Sequence, residues 1–491
     1  MKILEKNKNN VRWVSFVLSC CLTAMSAFCV IATGRAIALE VYNFVELKRA
    51  IDDNGKNYIN VKQDITFNDA IIIERGNLTI SGPGGGGKVK LNGSGQDRFF
   101  TVKKGWENIS LNNLHFDGGY DDRPSLINNE LFNPEAGGGA VYFEEGVKIV
   151  LENTTFSNNQ TKLWGGAIRS QGTEEKRNTL EFKGETVFSG NKIEDHDVYG
   201  GGAIYGEFSN ITFNGEVIFE KNKLLYGSGG AIYGYFVALT FGKKATFDGN
   251  ESFGTDGGAI NAEDNSSLTF EGLAIFKDNR SASEGGAIYA NRHSSLTFGG
   301  LATFENNRSK NIGGAIYVSD GVSIEFRDSL NLVGNIIERA DSGALHMWGN
   351  PSNKLVTITL VQRNPSVPTE FKGNKSGENG RNAVYMTQCS RLNFFVEKGN
   401  VNIYDVFSGY IGRPGDIHYV NGHDNIITIN RGEGWINIEK GGFIENVKVV
   451  NRGNLKLAGE SDGFNLIDFT NSGTIRFEIL PGGRSAKIRA N

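Results

Sequence analysis

The chain has 491 residues, of which 65 are Gly, 32 are Phe and only 8 are Pro, and its formal net charge is −4 at pH 7. This Gly content without matching Pro excludes a disordered Pro/Gly-rich chain, and the Phe content is sufficient for an extended apolar core. The mild acidity, with no basic run or stripe, argues against nucleic acid as a partner.

Residues 1–38 have the three parts of a secretory signal peptide. A basic and polar start is followed by the uncharged stretch Trp13 to Ala32 and by the small-residue cleavage pattern Ala36-Ile37-Ala38. An uncleaved membrane anchor is an alternative, because the uncharged stretch is about long enough to span a bilayer. Val17 to Cys20 also weakly resembles a lipobox. Without this segment Cys389 is the only cysteine, so the sequence predicts neither an intramolecular disulfide nor a cysteine-based zinc site.

Residues 39–135 are expected to form an N-terminal cap and the first coils of the fold. Phe44, Leu47 and Ile51 follow helical spacing, which predicts a short helix over the open end of the core. Short apolar runs then predict strands, and Tyr120 to Ala136 is expected to protrude as a loop.

Residues 136–395 carry an internal repeat. A Gly-Gly-Ala-Ile/Val motif recurs with a core period of 28 residues, and degenerate copies start at Ser342 and Arg381. Its regular copies begin at Gly138, Gly165, Gly201, Gly229, Gly257, Gly285 and Gly313.

Two further motifs run in step with the first: Phe-x-x-Asn, and triplets such as Leu268-Thr269-Phe270. The aromatic members of Phe-x-x-Asn are Phe156, Phe188, Phe219, Phe247, Phe276, Phe304 and Phe371, and Leu332 is a variant. The matching amides are Asn159, Asn191, Asn222, Asn250, Asn279, Asn307, Asn335 and Asn374.

Each unit therefore contains three short runs that alternate with period 2 and are too short for helices. Three strands per coil predict an all-β fold, a single parallel β-helix that the crossover rule makes right-handed. Residues 396–491 keep short strand-like runs and are expected to continue the stack as irregular coils. Roughly 15 coils at a strand spacing of ~4.8 Å give a rod of ~75 Å.

The residue types have predicted positions in each coil. The Phe side chains should stack inside as a structural ladder, and the Asn side chains should form an amide ladder at one corner. By alternation the residue after Gly-Gly-Ala-Ile faces outward, and Ala should share that outer face. The outward position predicts an exposed candidate binding stripe that consists of Tyr205, Tyr233, Tyr289 and Tyr317.

Long β-helices also serve as polysaccharide lyases and hydrolases, which need converging carboxylates or calcium ligands. Three loops carry such groups: Asp121-Asp122-Arg123, Glu194-Asp195-His196-Asp197 and Gly422-His423-Asp424. Nothing in the repeat brings them together, so we expect solvated loop charges, with the second loop as the alternative for a metal site. We predict no catalytic residue, no metal and no cofactor.

The pairing of Gly-Gly-Ala-Ile with Phe-x-x-Asn resembles the repeat of the polymorphic outer membrane protein family, best known from chlamydiae, over residues 138–385. Phe394 to Ile411 resembles the segment that follows those repeats. The resemblance implies autotransporters that consist of a signal peptide, a β-helical passenger and a C-terminal β-barrel, and that act as adhesins or surface antigens. About 100 residues follow the repeats, fewer than a barrel needs, so we expect a passenger without the barrel.

The leading hypothesis is an exported, non-enzymatic, adhesin-like passenger of a Gram-negative bacterium that binds through exposed faces of the rod. Its expected partners are a host surface protein or glycan, or neighbouring passengers, and its expected place is the outer membrane, the cell surface or the medium. One alternative is a secreted polysaccharide lyase or hydrolase, and another is a truncated autotransporter fragment without an independent role.

Overall fold

The computed structural model describes residues 38–95, 97–123, 126–127, 131–132, 134–194, 200–339, 342–349, 355–378, 380–387, 389–410, 425–458, 463–466, 468–477 and 488–490. Apart from residue 38, the predicted signal peptide lies outside the described residues. Within the described part of the chain, no helix has the length and apolarity needed to cross a membrane.

The chain winds into stacked coils, and each strand pairs in parallel with the corresponding strand of the next coil. Three long sheets, named here sheets 1, 2 and 4, contain 16, 15 and 15 strands, in each of which strand order follows the chain. The predicted all-β parallel β-helix is confirmed. Sixteen strands at ~4.8 Å give a stack of about 70 Å.

The strands of sheet 1 are Leu39–Val41, Tyr58–Val61, Leu78–Ser81, Ile109–Asn112, Lys148–Glu152, Asn178–Lys183, Ser209–Phe213, Ala238–Phe241, Ser267–Phe270, Ser295–Phe298, Ser323–Phe326, Val356–Gln362, Ser390–Val396, Ile426–Asn430, Lys448–Asn451 and Asp468–Asn471. The strands of sheet 2 are Ile65–Phe67, Val89–Gly93, Leu114–Asp117, Thr155–Ser157, Thr186–Ser189, Val217–Glu220, Ala245–Asp248, Ala274–Lys277, Ala302–Glu305, Leu330–Val333, Thr369–Lys372, Asn400–Ile403, Trp435–Ile438, Asn454–Leu457 and Thr474–Phe477.

A short sheet 3 consists of ten two-residue strands from nine of the coils and lies between sheets 2 and 4. Its strands are Tyr120–Asp121, Gln160–Thr161, Lys192–Ile193, Lys223–Leu224, Glu251–Ser252, Arg280–Ser281, Arg308–Ser309, Ile336–Ile337, Lys375–Ser376 and Gly380–Arg381, the last of which is antiparallel to its neighbour. The strands of sheet 4 are Ile71–Ile73, Phe100–Val102, Val141–Phe143, Ile168–Gln171, Ile204–Glu207, Ile232–Tyr235, Ile260–Glu263, Ile288–Ala290, Ile316–Ser319, Leu345–Trp348, Val384–Thr387, Val406–Gly409, Phe443–Glu445, Gly463–Leu466 and Ile488–Ala490.

The segment that was expected to protrude as a loop contains a separate antiparallel hairpin of strands Leu126–Ile127 and Leu131–Phe132. It stands outside the four stacked sheets, because its strands pair only with each other among the described residues.

The predicted helix spans Phe44–Asp52 and covers the N-terminal end of the core. Asn43 caps it: its side chain accepts a hydrogen bond from the N–H of Glu46 at 3.0 Å. The Glu46 carboxylate in turn accepts from the Tyr42 N–H at 2.8 Å. Leu47 and other apolar residues of one face are buried against the first coil, which keeps water from the end of the stack.

The interior is filled by columns of Phe rings in register. In the column from Phe156 to Phe304, neighbouring centroids are 4.7–4.9 Å apart with the rings nearly parallel. Leu332 then takes one place before Phe371, as the pairing of the strands requires. All seven predicted ladder rings are at most 1% exposed. A second column, contributed by sheet 1 from Phe182 to Phe326, packs edge-on against the first, so the aromatic core is continuous.

The eight predicted asparagines form one ladder along the corner between sheets 2 and 3, and each is 0% exposed. The N–H and Nδ2 of Asn250 both donate to Oδ1 of Asn279 at 3.0 Å, and Nδ2 also donates to the carbonyl of Phe219 at 2.9 Å. At the far end the N–H and Nδ2 of Asn374 both donate to Oδ2 of Asp405 at 2.9 Å. An amide donates and accepts, so it can repeat without limit, whereas a carboxylate only accepts and therefore ends the ladder.

The expectation that the Ala of Gly-Gly-Ala faces outward is wrong. Ala259 and its equivalents are 0% exposed and belong to the core. The N–H groups of Ala259 and Ile260 both donate to the carbonyl of Ala287 at 2.9 Å, so two successive residues point inward and strand alternation is interrupted at this corner.

We expect Asn250→Ala to lower the free energy of unfolding by about 2–4 kcal/mol, because it leaves two buried donors of Asn222 and the carbonyl of Phe219 without partners. Asn214→Ala, at an exposed position of the neighbouring coil, is the matched control and should change stability little. Chemical denaturation followed by circular dichroism measures both. Equal stability of the two variants would show that the ladder does not contribute to the free energy of unfolding.

Gly257→Ala and Gly258→Ala should each destabilise the fold by at least about 1–3 kcal/mol. Gly257 has φ +65°, and an added Cβ at either position would collide with a backbone carbonyl, of Ile260 or of Gly286. Gly84→Ala is the control, since nothing lies within 4 Å of its added Cβ. Lower melting temperatures for the two corner variants than for the control would support the requirement for glycine at the corner. Three equal melting temperatures would refute it.

Candidate binding face

The outer face of sheet 4 carries the row of side chains that follows the Gly-Gly-Ala-Ile corner, named here the corner row. Strand pairing places its members directly above one another, coil after coil. They are Tyr142, Arg169, Tyr205, Tyr233, Asn261, Tyr289, Tyr317, His346 and Tyr385. A second row, two residues further along each strand, includes Gln171, Glu207, Tyr235, Glu263, Ser319 and Trp348.

The prediction of an exposed tyrosine stripe is wrong for three of its four members. Tyr205, Tyr233 and Tyr317 are 7%, 4% and 5% exposed, and Tyr289 is half-buried. The rings stack in pairs, with centroids 5.4 Å apart for Tyr205 and Tyr233 and 5.2 Å apart for Tyr289 and Tyr317. The order of the row is as predicted, but neighbouring side chains cover it.

A small second core accounts for the burial at the N-terminal half of the row. Leu163 and Trp164, on the segment between sheet 3 and the Gly-Gly corner, pack with Ala136 against Tyr205 and Tyr233. These segments are too irregular to be recognised as a cover from the repeat pattern, because they lie between the motifs.

Arginine guanidinium groups fill the N-terminal end of the corner row. The guanidinium of Arg169 lies 4.1 Å from the Trp164 ring centroid and 5.2 Å from that of Tyr142. Its Nη2 donates to Gln171 Oε1 at 2.7 Å. Arg169 is 3% exposed, so the face buries a cation between two aromatic rings.

Asp121 was expected to be a solvated loop charge, and it is instead 1% exposed. Its Oδ1 accepts from Arg98 Nη2 at 2.7 Å and from Arg123 Nη1 at 2.9 Å, and Arg98 is itself fully buried. This buried ion pair fixes the loop to the body of the rod, and breaking it by removing one partner would leave an uncompensated charge.

Three carboxylates lie beside the corner row further along the rod. Oδ1 of Asp256 accepts from the N–H of Glu284 at 3.1 Å. Burial, with the nearby charge of Asp256, raises the pKa of Glu284 to about 7, and burial also raises the pKa of Asp256 and of Glu263. Among the described residues no Lys or Arg pairs with Asp256 or Glu284, and Arg292 comes only within 3.8 Å of Glu263.

Asn261 takes the place of one ring in the corner row, between the ring pair of Tyr205 and Tyr233 and the pair of Tyr289 and Tyr317. It is 0% exposed, and neither its Oδ1 nor its Nδ2 has a partner of hydrogen-bond geometry in the described structure. We name the group formed by Asn261, Asp256, Glu263, Glu284 and Tyr289 the acidic slot.

Exposed apolar side chains lie on a ridge next to this slot, on the segments between sheet 3 and the Gly-Gly corners. Leu225, Tyr226 and Phe253 are 43%, 39% and 44% exposed. They belong to neighbouring coils, since the N–H of Phe253 donates to the carbonyl of Leu224 at 2.9 Å. Outside the ridge, Trp348 is the exposed aromatic of the second row, at 44%.

The other predicted acidic loops are only partly described. Glu194 pairs with Lys192 at 2.6 Å, while Asp195, His196, Asp197 and the Gly422-His423-Asp424 segment lie outside the described residues. In the part of the chain that the structure describes, no group of three or more His, Cys, Asp or Glu side chains is placed to hold a metal ion.

Sequence analysis missed a polar cluster on the outer face of sheet 2. Nε2 of His115 lies 2.7 Å from Oγ of Ser157, and the same Oγ donates to Asp117 Oδ1 at 2.6 Å. In a catalytic triad the carboxylate orients the histidine, but here it binds the serine and would repel an oxyanion. Lys90 neutralises Asp117 at 2.6 Å, so the cluster is a structural network. Only the register of neighbouring coils could have revealed it.

Comparison with known proteins found one family. The family model of the Chlamydia polymorphic membrane protein (Chlamydia_PMP) repeat matches residues 153–171, 274–291 and 302–319. Each match covers part of a coil within the predicted repeat region. Neither the search of curated proteins nor the search of solved structures found a match.

We expect Tyr233→Ser to destabilise the rod by about 2–4 kcal/mol, because it removes a buried ring that stacks on Tyr205 and packs in the second core. Tyr58→Ser, at a 38% exposed site of sheet 1, is the matched control and should cost little. The denaturation midpoints of the two variants measure this difference in stability. A Tyr233→Ser variant as stable as the control would restore the exposed-stripe interpretation.

Proposed function

We propose that this chain, which carries the repeat of Chlamydia polymorphic membrane proteins, is a non-enzymatic, adhesin-like rod displayed at the surface of a Gram-negative bacterium. The three repeat matches and the predicted signal peptide support export and surface display. In this role the β-helix is a rigid scaffold, and a host surface protein is the partner.

The observation that carries the proposal is the apolar ridge of Leu225, Tyr226 and Phe253. The interior of the rod is occupied by its own aromatic columns, so recognition has to use the outer surface. Large apolar side chains left exposed side by side favour an interface, since exposed aromatic groups anchor protein contacts. The acidic slot beside the ridge adds charge selectivity.

The polysaccharide lyase or hydrolase alternative depends on Asp195 and His196, both outside the described residues. Within the described residues, the site most similar to a catalytic cluster is the one around Ser157, and its bonding pattern opposes acyl transfer. No observation specifically favours the alternative.

Protease treatment of intact cells tests display. We expect the chain to be degraded from outside while periplasmic proteins stay intact, because a displayed rod exposes its loops to the medium. A chain that is cleaved only after the outer membrane is opened would contradict surface display.

The ridge is tested with purified protein on beads that bind host cells. Leu225→Ser/Phe253→Ser should reduce cell binding about tenfold while melting temperature is kept, because both side chains are exposed. Ile72→Ser/Trp106→Ser, with comparable exposures of 49% and 37%, is the control and should bind like the unmodified protein. Equal binding by all three proteins would refute the ridge as the contact surface.

A further inference from the structure

We propose that the acidic slot binds a guanidinium or ammonium group carried by a basic segment of a partner protein. The inference rests on the proposed function, because it names the chemistry by which the rod would recognise its partner.

The polar atoms of the slot are nearly all acceptors. Asp256, Glu263 and Glu284 contribute carboxylates, and Asn261 contributes a buried amide whose Oδ1 and Nδ2 both lack a partner of hydrogen-bond geometry. Oδ1 of Asn291, whose Nδ2 donates to the Tyr289 hydroxyl at 2.8 Å, is a second buried acceptor without a partner. Asp256 and Glu284 are partly buried carboxylates with no basic partner among the described residues, and a negative charge taken out of water is costly without one, so the missing group is a cation.

The corner row already contains one site of this kind in which the chain itself supplies the cation. Arg169 lies between the aromatic rings of Tyr142 and Trp164, and its Nη2 donates to an acceptor of the second row, Gln171. At Asn261 the flanking tyrosines and the second-row acceptor, Glu263, are present, but the nearest guanidinium, that of Arg292, lies 3.8 Å from Glu263 and pairs with Asp264 at 2.9 Å. An external cation would complete the pattern.

The slot reaches the surface of the rod. Asp256, Glu284 and Tyr289 are each partly exposed, whereas Asn261 forms the floor. A cation placed here would contact two carboxylates that lack a basic partner among the described residues and the partly exposed face of a tyrosine.

A protein segment fits the surroundings better than an isolated cation. Phe253, three residues before Asp256, is exposed at 44% on the apolar ridge. A chain with a basic residue next to an apolar one would occupy the slot and the ridge together. An oligosaccharide of amino sugars would use the carboxylates but would leave Phe253 uncovered.

The probe is a fluorescein-labelled tetra-arginine peptide with two flanking leucines, titrated with the full chain by fluorescence anisotropy at low ionic strength. The double variant Asp256→Asn/Glu284→Gln should weaken binding about tenfold. The control Glu271→Gln/Glu305→Gln removes two carboxylates from exposed positions on other faces and should weaken binding less than twofold. Melting temperatures confirm that both variants are folded.

Equal loss in the two variants would overturn the proposal, because binding would then follow net charge. Tighter binding of glucosamine oligomers than of the peptide would overturn the assignment to a basic protein. A failure of this proposal can be distinguished from a failure of the proposed function. Protease treatment of cells tests surface display, and the Leu225→Ser/Phe253→Ser variant tests the ridge, independently of the slot.

Discussion

The fold depends on how each coil satisfies the buried polar groups of its corners. A coil on its own cannot do so, and it obtains its donors and acceptors from the coils above and below. The asparagine corner is the clearest case, since each amide binds its equivalent one coil away and also a carbonyl on the opposite side. A shift of one residue in register would break this ladder and turn the Phe columns toward water, so hydrogen bonding and aromatic packing select the same register. The ladder ends at Asp405, where the regular repeat also ends.

This construction leaves the outer faces as the place where individual coils can differ. The inward residues repeat nearly unchanged, but the corner row of sheet 4 changes from arginine to tyrosine, asparagine and histidine along the rod. Its N-terminal part is completed internally, with Arg169 held between aromatic rings. Its middle part, the acidic slot, contains the carboxylates of Asp256 and Glu284, which have no basic partner among the described residues. The same sheet therefore contains one site in which the chain supplies the cation, Arg169, and a second site that we propose takes its cation from a partner.

Much of the fold could be predicted from the sequence, because its motifs recur at regular spacing. The repeat of Phe-x-x-Asn predicted the inward rings and the amide ladder, and helical spacing predicted the Phe44–Asp52 cap. What escaped prediction lies where periodicity fails. Ala259 points inward because two N–H groups share one carbonyl, and the tyrosines are covered by irregular segments such as the one with Trp164. Strand alternation correctly gave the side of the sheet, but exposure depends on what packs above it.

The same limit applied to the charged groups. Asp121 sits in a stretch that resembles a solvated loop, and only the fold brings the distant Arg98 to it. The cluster of His115, Ser157 and Asp117 joins residues of neighbouring coils in the same way. Such pairings follow from the register between coils, which a single motif does not specify.

Native-state hydrogen exchange at the ladder asparagines tests the central claim most directly. If the corners are held together by the amide ladder, the backbone N–H groups from Asn159 to Asn374 should exchange as slowly as those in the middle of sheets 1 and 2. Exchange of these corner amides at the rate of exposed loops, with the sheets still protected, would contradict the claim that the ladder sets the register.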